Sequence, residues 1–319
     1  MSHKKIAKIL IILFVVSILA AQQNEDKSLL LRIGDKKLKD RPLDVSPGII
    51  YSAAEGKLIP FSRMIKEMKR SRFVYIGETH NSLPIHDLQL RIIQALYEQD
   101  KNLSIGLEMF PSPSQEVLDK WSQALLGQDE FLRESLWYVN WNYNFGFYEK
   151  IFNFAKNSKI PMYALNAPNE IITKVRRQGW DALSDEEKKI VPQPDLSHQE
   201  HRILIRSIFE ASELPPQMKG AGLDMAFEGL YRAQSAWDEV MAFNALKAVQ
   251  GNEKKMVVLA GSGHLLYNLG INRRAFEKSH LSFKTVISVI VPKDKKSVQV
   301  AGSLTDYIFG MEEEEIPAF

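Results

Sequence analysis

Three short apolar segments of this chain each end in glycine followed by a residue that can bind a proton or a metal. They are Phe73-Val-Tyr-Ile-Gly-Glu-Thr-His80, Leu103-Ser-Ile-Gly-Leu-Glu108 and Met256-Val-Val-Leu-Ala-Gly-Ser-Gly-His264. Runs of four to eight apolar residues bounded by glycine are typical of buried β-strands. In open α/β sheets the carboxyl ends of parallel strands share one edge, and ligands bind there. The segments therefore predict one site that contains four side chains: Glu78, His80, Glu108 and His264.

Helical patterns alternate with these strands along the chain. Leu88, Ile92, Ala95 and Leu96 recur at helical spacing, which predicts a helix over 84–98. The alternation predicts an α/β fold whose central, largely parallel sheet is flanked by helices on both faces. Two apolar segments around 54–56 predict a small β-hairpin before that sheet.

Composition excludes several classes of function. The 319-residue chain has a formal net charge of +2 and carries no basic stripe, so nucleic acid is not an expected partner. It contains no cysteine. Disulfides, thiol catalysis, iron–sulfur clusters and a lipidated N-terminal cysteine are therefore excluded.

The N-terminus has the layout of a secretory signal peptide over 1–21, with early lysines, an apolar run over 9–20 and small residues at its end. An uncleaved anchor is the alternative, although the run is shorter than the roughly 20 residues that span a bilayer. We expect an exported protein of the periplasm or cell envelope. A polar, lysine-rich flexible leader over 22–45 and an acidic tail over 311–319 are expected to flank a single domain over 46–310.

Each strand-end residue also has a purely structural interpretation. Glu78 could only accept backbone hydrogen bonds, and Glu108 could be a salt-bridged core residue. His80, beside a carboxylate, could act as a general base or bind a metal or haem iron. His198 and His201 share one helix face, but without a metal-binding motif around them a solvated first turn is the favoured interpretation.

Aromatic side chains crowd the segment 137–148: Trp137, Tyr138, Trp141, Tyr143, Phe145, Phe147 and Tyr148. This density suggests an aromatic flap over a flat apolar ligand or an association surface, and a packed loop is the alternative. A phenolate from Tyr143 or Tyr148 could ligate ferric haem. Arg232 and its neighbours Gln234, Trp237 and Asp238 could complete the pocket or form a buried polar network.

The ordered series of motifs resembles the ChaN family of exported haem-binding proteins implicated in iron uptake. The motifs are Tyr75-Ile-Gly-Glu-Thr-His80, Gly106-Leu-Glu-Met-Phe110, Trp141-Asn-Tyr143, Ala164-Leu-Asn-Ala-Pro168, Gln234-Ser-Ala-Trp-Asp-Glu-Val-Met-Ala242 and Ala260-Gly-Ser-Gly-His264. The resemblance covers roughly residues 45–310. It extends to the TIKI, TraB and erythromycin-esterase groups, to which ChaN is related.

The resemblance implies an α/β domain that holds haem near a subunit interface, with a tyrosine such as Tyr143 as the iron ligand. A homodimer and an outer-membrane haem receptor are the implied partners. Related TIKI and erythromycin-esterase proteins are hydrolases, so the resemblance also implies an alternative. Under that alternative Glu78, His80, Glu108 and His264 are catalytic, with or without a divalent metal. Family members are often lipoproteins, and this chain has no cysteine for a lipid.

Overall fold

An eight-stranded sheet forms the centre of the computed structural model, which describes residues 27–212, 220–251 and 253–314. A two-stranded sheet lies beside it. The strands in chain order are β1 Pro42–Val45, β2 Ile50–Ser52, β3 Lys57–Ile59, β4 Phe73–Glu78, β5 Leu103–Pro111, β6 Met162–Asn166, β7 Lys255–Gly261, β8 Phe283–Val291, β9 Val298–Ala301 and β10 Tyr307–Glu312.

The large sheet has the strand order β3-β2-β10-β8-β4-β7-β5-β6. All neighbours from β10 to β6 are parallel, while β2 and β3 add an antiparallel hairpin at one edge. Within the parallel part, β7 lies between β4 and β5. The predicted parallel sheet and the predicted hairpin are therefore both confirmed.

Helices pack on both faces of this sheet. They are α1 Phe61–Met68, α2 Leu83–Gln99, α3 Gln115–Ser122, α4 Gln128–Glu134, α5 Trp137–Asn140, α6 Glu149–Asn157, α7 Asn169–Gln178, α8 Asp185–Ile190, α9 Gln199–Ala211, α10 Ala221–Val249 and α11 Ile271–Ser279. Successive residues of β4 belong to different cores: Phe73 and Tyr75 pack with α7, α9, α10 and α11, whereas Val74 and Ile76 pack with α1 to α6. This alternation follows from the pleat of a strand covered on both sides, and it confirms the predicted fold class.

Part of the predicted flexible leader, 22–45, is built into the fold, which corrects that expectation for 27–45. Strand β1 pairs with β9, and Val45 is fully buried. Ile33 is buried as well, and the Tyr267 hydroxyl donates to the backbone oxygen of Ser28 at 2.8 Å. The lysines that suggest a leader lie between apolar residues whose side chains are buried in the core.

The predicted signal peptide, 1–21, lies outside the described residues. Among the helices that the structure describes, none combines the length and the apolar character needed to cross a membrane. Strand β10 extends to Glu312, two residues into the predicted acidic tail, and 315–319 lie outside the described residues.

Candidate functional site

The carboxyl ends of β4, β5 and β7 meet at one edge of the sheet, as the sequence predicts. Glu78 pairs in register with Gly261, at the end of the neighbouring strand. A methyl group on the Cα of Gly261 would lie 3.0 Å from Cε1 of His80 and 3.5 Å from Oε2 of Glu108. The φ of Gly261 is −52°, a value open to any residue. Glycine is needed here because His80 and Glu108 occupy the space above it.

Glu78 is the most fully satisfied carboxylate of the site. It accepts hydrogen bonds from the Tyr148 hydroxyl at 2.6 Å and from Nε2 of Gln89 at 2.7 Å, and Nδ1 of His80 lies 2.9 Å away. Burial alone would raise the pKa of Glu78, but nearby His86 and these hydrogen bonds lower it to about 2. Glu78 is therefore an anion that accepts Nδ1–H of His80 and so fixes the orientation of that ring.

His86 contacts two of the residues that surround Glu78, namely Gln89 and His80. It is buried, its Nδ1 lies 2.8 Å from Oε1 of Gln89, and its Nε2 lies 3.2 Å from the backbone oxygen of His80. Its ring packs on Tyr148 with centroids 4.2 Å apart. The sequence leaves open whether His86 joins the site, and the structure places it as a support of Gln89 and His80.

His264 lies between two carboxylates. Its Nδ1 is 2.6 Å from Oδ1 of Asp238 on α10, and its Nε2 is 3.4 Å from Oε1 of Glu108. Burial lowers the pKa of His264, but the two carboxylates outweigh it and raise that pKa to about 10. The ring is therefore an imidazolium at neutral pH. Glu108 also accepts the backbone N–H of Gly261 at 2.5 Å, which holds it against β7.

The structure corrects the expectation that His201 lies on a solvated helix turn. His201 is fully buried, and its Nε2 lies 3.1 Å from Oδ2 of Asp238. Burial lowers the pKa of His201, which favours the neutral ring. Helix α9 packs against α10 and brings the two residues together, whereas His198 stays at the helix start and accepts the His201 N–H with its Nδ1.

Two aromatic residues of the 137–148 segment cover His80. The Trp141 ring lies 4.6 Å from the His80 ring in an edge-on contact, and the Tyr143 ring lies 5.0 Å away. The Tyr143 hydroxyl is buried and has no hydrogen-bond partner among the described residues. Burial, followed by the charges of Glu108 and Glu78, raises the pKa of Tyr143 well above that of a free phenol.

Tyr148 and Arg232 have structural contacts instead. The Tyr148 hydroxyl is committed to Glu78 and also accepts the Trp141 indole N–H at 3.2 Å. Arg232 donates to the backbone oxygen of Arg176 on α7 at 2.9 Å. No described contact joins Arg232 to the histidines of the site, so its expected place in the pocket is not supported. From the same helix Gln234 and Asp238 do reach His264.

A known protein family matches the part of the chain that contains this site. A family model described as haem-binding uptake, Tiki superfamily, ChaN matches residues 64–275. The chain belongs to the ChaN family. The matched range contains the four strand-end residues and the whole aromatic segment.

Solved structures support the ChaN fold. ChaN of Campylobacter jejuni, described with cofacial haem binding, has a TM-score of 0.63 at 20% identity and covers 84% of this chain and 96% of its own. A mutant of the erythromycin esterase EreC in its open conformation has a TM-score of 0.51 at 11% identity and covers 85% and 99%. At these identities the likeness shows the fold alone.

A curated plant relative matches a smaller part of the chain. Protein RETICULATA-RELATED 5, chloroplastic, of Arabidopsis thaliana is 28% identical over 142 residues. The match covers 41% of this chain and 18% of the plant protein. The aligned part is thus a small fraction of that relative.

Proposed function

We propose that this ChaN-family protein binds haem at the strand-end site, beneath the aromatic segment, with Tyr143 as the iron ligand. The observation that carries the proposal is the Tyr143 hydroxyl, a buried polar atom without a hydrogen-bond partner among the described residues. Buried hydroxyls are normally paired. The Tyr143 ring lies 5.0 Å from the His80 ring, and its unpaired oxygen fits a group that accepts lone pairs.

The surrounding surface suits a flat apolar ligand. Leu136, Tyr138 and Val139 are exposed around α5, and Trp141 lies between them and Tyr143 in the chain and covers His80. Exposed apolar residues that cluster in one segment mark binding surfaces more often than isolated ones do. Bound haem would supply an iron that takes electron density from the phenol oxygen. The chain's own residues would orient that oxygen and exclude water from it.

We place this binding in haem or iron uptake by an exported protein, in keeping with the haem-binding uptake family to which the chain belongs. A homodimer that encloses the haem and an outer-membrane haem receptor remain proposals of the same kind.

The test is a hemin titration of protein that begins after residue 21. We expect a saturable Soret band with a defined stoichiometry and a dissociation constant in the micromolar range or below. Weak absorbance that rises linearly with hemin, as with any apolar surface, would overturn the proposal. Bovine albumin and a heat-denatured sample of the same chain are the positive and negative controls.

The geometry favours haem binding over the hydrolase that the sequence also allows. Both nitrogens of His264 face carboxylates, so that ring has no lone pair with which to act as a base. Within the described ranges, no group of three or more acidic or histidine side chains is arranged to hold a metal ion. A divalent-metal mechanism therefore has no support in this site.

A further inference from the structure

Trp137, at the start of the aromatic segment, binds the backbone of Tyr143. Its Nε1 donates a hydrogen bond to the backbone oxygen of Tyr143 at 2.7 Å. Trp137 is only 1% exposed. Its ring packs against Phe110, Phe145 and Phe152, with ring centroids 5.2–5.9 Å apart. The indole that holds the Tyr143 carbonyl is therefore itself held by the hydrophobic core.

The residues on either side of Tyr143 also have a defined backbone. Asn142 has a φ of 62°, which lies in the left-handed region and is uncommon for a residue other than glycine. On the other side, Oδ1 of Asn144 accepts the N–H of Gly146 at 2.8 Å and closes a turn. The backbone around Tyr143 is thus fixed by contacts within the chain itself.

The side chain of Tyr143 lacks a comparable restraint at its hydroxyl group. Its ring is half-buried, and the hydroxyl has no hydrogen-bond partner in the part of the chain that the structure describes. The Tyr148 hydroxyl, in contrast, donates to Glu78 at 2.6 Å. Rotation of the Tyr143 side chain can therefore adjust the position of its oxygen while the backbone stays in place.

We propose that Trp137 is a positioning residue for Tyr143, because its indole N–H fixes the backbone from which Tyr143 reaches the haem iron. The inference rests on the proposed function, which makes Tyr143 the ligand. A segment that is ordered in advance loses little conformational freedom on binding, which increases affinity. Without the indole N–H, haem binding would have to order the segment 141–146, and Tyr143 would hold the iron in fewer of the molecules.

Trp121 on α3 provides a matched control in the same core. It is also 1% exposed, and its Nε1 donates to the backbone oxygen of Phe152 at 2.9 Å. No described contact joins Trp121 to Tyr143. Trp121→Phe therefore removes the same indole group and a similar hydrogen bond from this core, but it leaves the Tyr143 carbonyl with its donor.

The experiment titrates hemin into the wild-type protein, Trp137→Phe and Trp121→Phe, after thermal unfolding has shown which variants are folded at the assay temperature. We expect Trp137→Phe to bind hemin about fivefold more weakly, the factor that corresponds to one hydrogen bond. Its tyrosinate absorption bands should also weaken. Trp121→Phe should keep the wild-type spectrum and an affinity within about twofold of wild type.

A double-mutant cycle tests whether Trp137 acts through Tyr143. In a Tyr143→Phe background, Trp137→Phe should weaken hemin binding by less than about twofold, because no ligand oxygen is left to position. The same loss in both backgrounds would show that Trp137 only stabilises the fold, and it would overturn the inference.

Asn142→Val tests the inference without a change in the core. Asn142 is exposed, and valine is strained at a φ of 62° because its side chain is β-branched. Ala124→Val is the control, since Ala124 is exposed and has a φ of 60° on the turn after α3. We expect weaker hemin binding in Asn142→Val alone. Equal affinities of these two variants would overturn the inference even if Trp137→Phe does not fold.

The remaining outcomes separate this inference from the proposed function. Wild-type affinity and tyrosinate bands in folded Trp137→Phe would overturn the role of Trp137 and leave haem binding intact. Equal losses in Trp137→Phe and Trp121→Phe would also overturn it, because the effect would then come from the core as a whole. Absence of saturable hemin binding by the wild-type protein would instead overturn the proposed function, and the inference with it.

Discussion

Nδ1 of His264 lies 2.6 Å from Oδ1 of Asp238, and both side chains are buried. This contact ties the end of β7 to the long helix α10. The Nε2 of the same ring faces Glu108, so one imidazolium connects the helix to two neighbouring strand ends. The contacts of His264 with the two carboxylates therefore hold the strand ends of the site against the helix.

We expect His264→Gln to lower the free energy of unfolding by about 3–5 kcal/mol near neutral pH, because it leaves Asp238 and Glu108 buried without their cation. The pKa of His264 is raised from 6.5 to about 10 in the folded state. Its stabilising contribution is therefore complete below pH 6.5 and is lost as the pH rises through about 10. Urea unfolding of both proteins between pH 6 and 10 should show the difference shrinking.

Lys66→Gln is the control for that series because it removes a positive charge at an exposed position of α1. It should change stability by less than about 0.5 kcal/mol. A difference between wild type and His264→Gln that stays constant across this range would show that the ring is not held as an imidazolium.

We expect Gly261→Ala to destabilise the protein by about 1–3 kcal/mol, the usual cost of overpacking. The added methyl group would meet His80 at 3.0 Å and 3.2 Å. Gly263→Ala is a matched control two residues away, where a methyl group would meet nothing within 4 Å. Thermal unfolding should separate the two variants, and equal effects would mean that His80 does not occupy the space above Gly261.

Most of the strand-end residues of the site could be predicted from the sequence, because the local pattern determines where each strand ends. Apolar runs that stop at glycine mark where β4, β5 and β7 end, and parallel pairing sends those ends to one edge. Glu78, Glu108 and His264 could thus be placed together from the sequence alone. The helical spacing of α2 is equally readable from its periodicity.

The contacts that lie behind the strand-end residues could not be predicted from the sequence. His201 and Asp238 are brought together by the packing of α9 on α10, a tertiary contact that leaves no periodic signature in either helix. The two candidate iron ligands, Tyr143 and Tyr148, likewise differ in the contacts of their hydroxyl groups, which the sequence does not show. The strand at 42–45 could not be predicted, because it lies in a lysine-rich stretch. Composition does not show that this stretch pairs with β9.

We expect Tyr148→Phe to lower the free energy of unfolding by about 1.5–3 kcal/mol, the range for a hydrogen bond to a charged group. The lost bond is the 2.6 Å contact with Glu78, and Trp141 loses an acceptor as well. Chemical denaturation measures the change. Hemin affinity should stay within about threefold of wild type, since the proposed function assigns the iron to Tyr143 and not to Tyr148. A stability equal to that of wild type would count against the hydrogen bond to Glu78.

Hemin binding by Tyr143→Phe, Tyr148→Phe and the wild-type protein, compared side by side, decides whether Tyr143 is the iron ligand. If the unpaired Tyr143 hydroxyl ligates the iron, Tyr143→Phe will lose the tyrosinate absorption bands and bind hemin about tenfold or more weakly, a loss of about 1.4 kcal/mol or more. Tyr148→Phe will keep both the spectrum and the affinity. An unchanged spectrum and affinity in Tyr143→Phe would contradict the assignment of Tyr143 as the ligand.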